Sequence, residues 1–258
     1  MKNTFRTKKK FGQHLLISKD VISKMVQFLE VKPEDVIVEI GVGTGNLTES
    51  ILEENPKVLY GIEIDRTAHT LIEEKFKGKE NFRLIKSDFF DVDFDDLLRG
   101  ERVKFTGNLP YNVATNIMIK TVFFIDKIEF CLFMIQKEVA EKLIGKPRTK
   151  DYTFLSVFLQ TFYSISYLMS VPARFFYPLP KVTSAIIKIV PKKGLKIDNP
   201  YQYKYFLSDL FQNRRKMLRS KLDSKTLEEA GISPQKRVEE LSLEEILSLY
   251  EVMKSGHR

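Results

Sequence analysis

The chain has 258 residues, 43% of them hydrophobic and 29% charged, and carries a net charge of +8 from 42 Lys and Arg against 34 Asp and Glu. That balance describes a globular protein with room for one large domain, or a large domain and a small appendage. No apolar run approaches the ~18 residues that argue a membrane span, the basic start lacks the apolar stretch of a signal peptide, and the single cysteine excludes an internal disulfide.

The elements follow in chain order. "SKDVISKMVQFLE" has the periodicity of an amphipathic helix, with Val21, Met25 and Leu29 on one stripe, Ile22 and Val26 flanking it, and Ser18 as its N-cap. "DVIVEIGVGTGNLTESILEE" is an apolar strand, a glycine turn and a helix. "KVLYGIEID" and "RTAHTLIEEKF" repeat the strand and helix; "NFRLIKSDFFD" supplies a third strand ending at Asp88; "RVKFTGNLPY" is the fourth, followed by the helical "ATNIMIKTVFF". "KIEFCLFMI", which carries Cys131 as a packing residue, is a fifth strand, and "KEVAEKLIG" a helix. Strict alternation with short connections predicts a doubly wound, parallel α/β sheet.

Beyond residue 150 the pattern changes. "YTFLSVFLQTFY" is a helix, and "SISYLMSV" and "TSAIIKIV" are strands bracketing "PARFFYPLPK", suited to antiparallel pairing at the sheet edge. From 196 onward the text is helical, and Ser242 and Glu245 have capping-box spacing. The expected boundary separates an α/β domain, 1–195, from a small all-α domain, 196–258.

Gly41, Gly43 and Gly45 lie between a strand and a helix, where glycine permits a sharp bend and close approach of a ligand. The spacing is not G-x-G-x-x-G, because Asn46 stands where the last glycine would be, and no Lys-Ser/Thr follows to make a phosphate-cradling loop. Glu39 before the turn would repel a pyrophosphate and suits a cation or an amine. Glu63 ends the second strand, where such folds place a carboxylate on ribose hydroxyls. Asp88 is placed to accept from the amine of adenine. A nucleoside with a positive, amine-bearing appendage satisfies all of these, which points to S-adenosylmethionine. His14, His69 and His257 have no ligand spacing with Cys131, so no metal site is expected.

"GNLPYNVAT" places Asn108 and Tyr111 at a strand end stiffened by Pro110. The N6 amine of adenine is a poor nucleophile because its lone pair is delocalised into the ring. An Asn108 oxygen and a backbone carbonyl beside Pro110 can accept its two N–H groups and draw it out of conjugation. Tyr111 offers a face for a base taken out of its helix, and such stacking is worth ~1–3 kcal/mol.

With "FGQHLL", "EIGVGTGNLT", "NLPYNVAT", "FYPLPKVTSA" and "LFQNRRKMLRSKL" in place along nearly its whole length, the chain resembles the rRNA adenine-N6 dimethyltransferases, a family of small-subunit rRNA enzymes and large-subunit antibiotic-resistance enzymes. The resemblance implies a Rossmann-like class I methyltransferase fold with a mainly parallel seven-stranded sheet. It implies that Gln13, His14 and Leu15 line the methionine part of the cofactor and that Gly41 and Gly43 sit against it. Glu63 and Ile64 would meet the ribose, and Asp88 and Phe89 the adenine. Asn108, Leu109, Pro110 and Tyr111 would grip the target base, with Phe176 closing over its other face, and Asn108 would also border the cofactor. At position 14 the family usually has Asn; the His either donates a hydrogen bond there or packs.

N-L-P-Y and the "QNRRKMLRSKL" block resemble the small-subunit branch, which implies two neighbouring N6,N6-dimethyladenines near the 3′ end of 16S-type rRNA as product. Lys8, Lys9, Lys10, Arg214, Arg215 and Arg219 fall in the two basic clusters and would meet RNA phosphates. The implied partners are small-subunit rRNA and the assembling small subunit, for a cytoplasmic monomer. Two rivals stand beside this reading: another adenine target in large-subunit rRNA or DNA, and an RNA-binding assembly or transcription factor without catalysis.

Overall fold

The structure is a computed structural model that describes residues 14–195 and 197–255. Contacts divide the chain into two compact units, residues up to 140 with 164–191, and 141–163 with those from 192 onward.

The first unit holds the sheet. Strands β2 (Val36–Ile40), β3 (Val58–Ile62), β4 (Phe82–Ile85), β5 (Val103–Asn108) and β6 (Ile128–Gln136) alternate with α2 (Asn46–Glu53), α3 (Arg66–Lys75), α4 (Phe94–Leu98) and α5 (Ala114–Thr121). They are preceded by β1 (Leu15–Leu16) and α1 (Lys19–Leu29) and followed by α6 (Lys137–Leu143). Ser18 caps α1, its side chain accepting from the Val21 N–H at 3.4 Å. With β7 (Tyr163–Val171) and β9 (Ser184–Pro191), the strands form a seven-stranded sheet ordered β4-β3-β2-β5-β6-β9-β7. Pairing is parallel from β4 to β6, and β9 runs antiparallel to β6.

Alternate residues of each strand face opposite sides. Ile37, Leu59, Leu132, Met134 and Ile186 pack with the buried stripes of α1, α2 and α3 in one core cluster. On β5, Phe105 meets the rings of Phe89, Phe94 and Phe124. The third parallel strand is shorter than expected: it ends at Ile85, and Asp88 caps a 3-10 turn over Phe89–Asp91. A separate two-stranded sheet pairs β1 antiparallel with β8 (Phe176–Tyr177), Leu15 opposite Tyr177 and Leu16 opposite Phe176.

The second unit is built around α7 (Phe154–Phe162), α8 (Pro200–Phe211), α9 (Ser224–Glu229) and α10 (Leu243–Ser255). Buried Tyr203 has the rings of Phe158, Phe162, Phe206 and Tyr250 around it, and its hydroxyl meets Thr161 at 3.0 Å. The Tyr152 hydroxyl donates to the Leu241 carbonyl at 2.8 Å. These contacts draw 141–163 into the helical unit, so it takes in two chain segments where a single boundary at 195/196 was expected. Ser242 and Glu245 form their reciprocal cap. Among the described residues, no helix is long and apolar enough to cross a membrane.

Candidate active site

β2 and β3 deliver their functional residues to one end of the parallel sheet. Past Ile40 the chain turns through Gly41, Gly43 and Gly45, all at positive φ, into α2. A Cβ built on Gly41 would meet nothing within 4 Å. The Gly41 backbone therefore fronts open space, as close approach of a ligand requires. Glu63, 2% exposed, braces the turn: one carboxylate oxygen accepts from the Gly43 N–H at 2.8 Å and the other from the Asp65 N–H at 2.8 Å. A carboxylate has about four acceptor sites, so both oxygens retain capacity for ribose hydroxyls.

Behind the turn, Glu39 is buried, and the Thr48 hydroxyl donates to it at 2.5 Å. Burial pushes its carboxyl up to about 8, Thr48 opposes that shift, neighbouring Glu63 adds to it, and Lys75 opposes it. A buried acidic group beside an open cavity suits a cationic ligand.

The cavity has a volume of about 1200 Å³ with its open mouth included, and His14, Leu15, Gly41, Gly43, Glu63, Ile64, Asp88, Phe89, Asn108, Leu109, Pro110 and Tyr111 all contribute to its lining. The structure thus brings together the cofactor and base-gripping residues read from the sequence, with two exceptions. Gln13 lies outside the described residues. Phe176 is 3% exposed and belongs to the core cluster with Leu16 rather than the cavity. In β8 adjacent residues face opposite ways, so Phe176 turns inward and Tyr177 outward.

The catalytic segment is fixed from several directions. The Asn108 side-chain amide donates to the His14 carbonyl at 2.7 Å. Its Oδ1 therefore remains available as an acceptor. The Pro110 carbonyl accepts from the Val113 and Ala114 N–H groups at 3.1 and 3.0 Å, as α5 begins. That leaves the Leu109 carbonyl, bonded to the Pro110 nitrogen, as the second acceptor. The Tyr111 hydroxyl meets the buried Ser184 hydroxyl at 2.6 Å, and burial pushes the phenol up from its ordinary range. The His14 ring packs 5.5 Å from the Tyr111 ring, and its Nδ1 lies 2.8 Å from the Pro178 carbonyl. At position 14 the backbone carbonyl reaches Asn108, and the imidazole meets the Pro178 carbonyl.

Asp88 is half-buried, and its carboxylate accepts from the Phe90 N–H at 3.0 Å. Of the basic residues, Lys8, Lys9 and Lys10 lie outside the described residues. Arg215 and Arg219 are exposed. Arg214 is not free for phosphate: its guanidinium donates to the Tyr152 carbonyl and, at 3.0 Å, to the Lys150 carbonyl, and it pairs with Glu239 at 3.4 Å. Among the described residues no group of His, Cys, Asp and Glu is arranged to hold a metal.

Residues outside the expected set also shape the cavity. Asn46 lines it and donates to the Leu16 carbonyl at 3.1 Å, and Phe90 lines it beside Asp88. Asn46 was visible only as the residue displacing a glycine; Ser184 was visible only as the last residue of the "FYPLPKVTS" block, with no role read for it, and Phe90 had no local signal.

A doubly wound sheet with a glycine turn, a ribose-side carboxylate and a stiff Asn-Leu-Pro-Tyr at the end of β5 defines a Rossmann-like class I methyltransferase. The family model described as "Ribosomal RNA adenine dimethylase" matches residues 4–255, and the chain belongs to this family, whose cofactor is S-adenosylmethionine. It is 61% identical to "Ribosomal RNA small subunit methyltransferase A" of Persephonella marina, over 95% of this chain and 93% of that protein. It is 58% identical to the protein of the same name from a Sulfurihydrogenibium species, over 99% of this chain and 100% of that one. A dimethyladenosine transferase from Plasmodium falciparum superposes with a TM-score of 0.84 at 24% identity, covering 94% of this chain and 98% of that one, which bears on the fold. The chain is accordingly an S-adenosylmethionine-dependent rRNA adenine dimethyltransferase.

Proposed function

We propose that this enzyme methylates N6 of two adjacent adenines in the hairpin near the 3′ end of 16S-type rRNA, each to N6,N6-dimethyladenine, during small-subunit assembly. The observation that carries the chemistry is the orientation of Asn108, whose amide nitrogen is spent on the His14 carbonyl. Its Oδ1 and the Leu109 carbonyl form a pair of acceptors for the two N–H groups of an adenine amine. Accepting both draws the N6 lone pair out of the ring. Tyr111, locked through Ser184, presents a ring on which the extruded base stacks. Bound S-adenosylmethionine supplies the electrophilic methyl group. Gly41, Glu63 and Asp88 would orient it, and buried Glu39 would offset its positive charge once its proton is released. After one transfer a single N–H remains, and one acceptor still holds it, so a second methylation at the same site is chemically reasonable.

The small-subunit target is supported by relatives named for that subunit, which match over nearly the whole chain. Exposed Arg215 and Arg219 in the helical segment from 196 onward are the RNA-facing cations, and the protein works as a cytoplasmic monomer. The test is methyl transfer from labelled S-adenosylmethionine to unmethylated small subunits, naked small-subunit rRNA and large-subunit rRNA, with products read as nucleosides by mass. Dimethyladenosine from small subunits alone is expected. Dimethyladenosine from large-subunit rRNA moves the target to the other branch. RNA binding without transfer makes the protein a non-catalytic factor.

A further inference from the structure

Two lysines that carry no role in the chemistry above each grip one of the turns that form the cofactor side of the cavity. Lys120, on α5, donates to the carbonyls of Phe89 and Phe90 at 3.1 and 2.6 Å. Its ammonium lies 5.4, 5.7 and 5.8 Å from the ring centres of Phe89, Phe90 and Phe94. The turn it holds is the one capped by Asp88 through the Phe90 N–H. Asp88 thus fixes the amide side of that turn and Lys120 its carbonyl side. Lys75, at the end of α3, repeats the device on the glycine turn, donating to the Thr44 and Gly45 carbonyls at 3.3 and 3.2 Å.

Both placements have a cost that calls for a compensating role. Burial among the rings disfavours the charged form of Lys120 and lowers its pKa, with Asp91 and Asp88 opposing. Lys75 sets a cation at the N-terminus of α2, where the helix dipole disfavours it, and Glu49 offsets that at 3.0 Å. The backbone bonds of the turns are short-range, Gly45 N–H to the Val42 carbonyl at 2.9 Å and Asp91 N–H to the Asp88 carbonyl at 3.0 Å, and the lysines tie each turn to a neighbouring helix. A cation bridging two successive carbonyls supplies a rigid tie, and hydrogen bonds to charged groups are the stronger kind.

We propose that Lys120 and Lys75 are positioning residues for the methyl donor, each pinning one cofactor turn through a pair of backbone carbonyls. Lys120 sets the Asp88 turn that meets the adenine, and Lys75 the Gly41–Gly45 turn that meets the amino-acid end. The inference rests on S-adenosylmethionine occupying this cavity.

The experiment is calorimetric titration of S-adenosylmethionine into the full-length wild type, Lys120→Met, Lys120→Arg and Lys75→Met. Initial rates and hydrogen exchange of the segment 86–93 accompany it. In Lys120→Met, which removes both charged hydrogen bonds to the turn, the cofactor Kd should rise about tenfold or more. Exchange at 88–91 should quicken while the sheet stays protected. The change should appear in KM for the cofactor, with kcat at saturation and KM for RNA near wild type. Lys120→Arg keeps the charge but spaces its donors differently, and should fall between. Cofactor affinity within twofold of wild type in folded Lys120→Met and Lys75→Met overturns the proposal. So does a Lys120→Met protein that fails to fold beside a Lys120→Arg protein of wild-type affinity, since the lysine is then only structural. A wild type that binds no cofactor would instead overturn the methyl-donor reading of the cavity.

Discussion

The side-chain amide of Asn108 and the backbone carbonyl of His14 are joined by a 2.7 Å hydrogen bond across 94 residues of chain. One contact therefore ties the N-terminal motif to the catalytic strand and decides which atom of the amide faces the substrate. Asn108→Ala should abolish transfer while leaving measurable cofactor binding. Asn108→Asp keeps an acceptor but sets a carboxylate oxygen against the His14 carbonyl. It should lower kcat about 10²- to 10³-fold, the usual effect of losing one preorganised polar group. Single-turnover rates beside calorimetric cofactor binding check both; loss of cofactor binding in Asn108→Ala would assign the residue to the cofactor instead.

Glu39 should make cofactor binding pH-dependent. Burial raises its carboxyl to about 8 from an ordinary 4.5, with Glu63 adding and Thr48 and Lys75 opposing. The native protein then holds a proton that the unfolded chain has released. The stability this contributes is complete below about pH 4.5 and is lost as pH rises through about 8. A cationic ligand favours the carboxylate, so S-adenosylmethionine should bind more tightly as pH rises toward 8 and should release a proton on binding below it. Calorimetry in two buffers of different ionisation enthalpy measures that proton. Glu39→Gln should abolish both the release and the pH slope.

Gly107 precedes Asn108 on β5, beside Ile40 at the end of β2. A Cβ there would stand 2.4 Å from the Ile40 carbonyl oxygen, a backbone atom that cannot swing aside. Gly107→Ala should lower stability by about 1–3 kcal/mol, as overpacking does, and should depress kcat by displacing Asn108. Chemical denaturation and steady-state rates report the two effects separately.

The three arginines of the basic block should behave differently. Arg215→Ala and Arg219→Ala should weaken RNA binding and reduce the slope of log K against log salt by about 0.7 to 0.9 each, without altering the melting temperature. Arg214→Ala should lower the melting temperature instead, because its guanidinium holds the Tyr152 and Lys150 carbonyls. An equal salt slope in all variants would remove Arg215 and Arg219 from the RNA contact.

What could be read from the sequence was local in origin. The Ser18 cap, the Ser242–Glu245 reciprocal cap and the strand–helix alternation follow from a few neighbouring residues, and each is present. Asn108 and Gly41 were legible because a strand end and a glycine turn write themselves in sequence. The remainder depended on distant pairing. Which of Phe176 and Tyr177 turns inward is set by the register with Leu15 and Leu16. Whether Arg214 is free depends on carbonyls more than sixty residues away, 62 and 64 along the chain. That the Pro110 carbonyl is spent, leaving Leu109 to accept, follows from how α5 begins.

The short pairing of β1 with β8, and the His14 contact to the Pro178 carbonyl across 164 residues, have a temporal consequence. A chain emerging from its N-terminus has β2 to β5, and with them the glycine turn and Asn108, well before residue 176 exists. The N-terminal motif must wait for that late segment before it is held against the cavity. The parallel layer has its strands early in synthesis, whereas the wall that His14 and Leu15 add to the cavity can close only once residues 176–178 have been made.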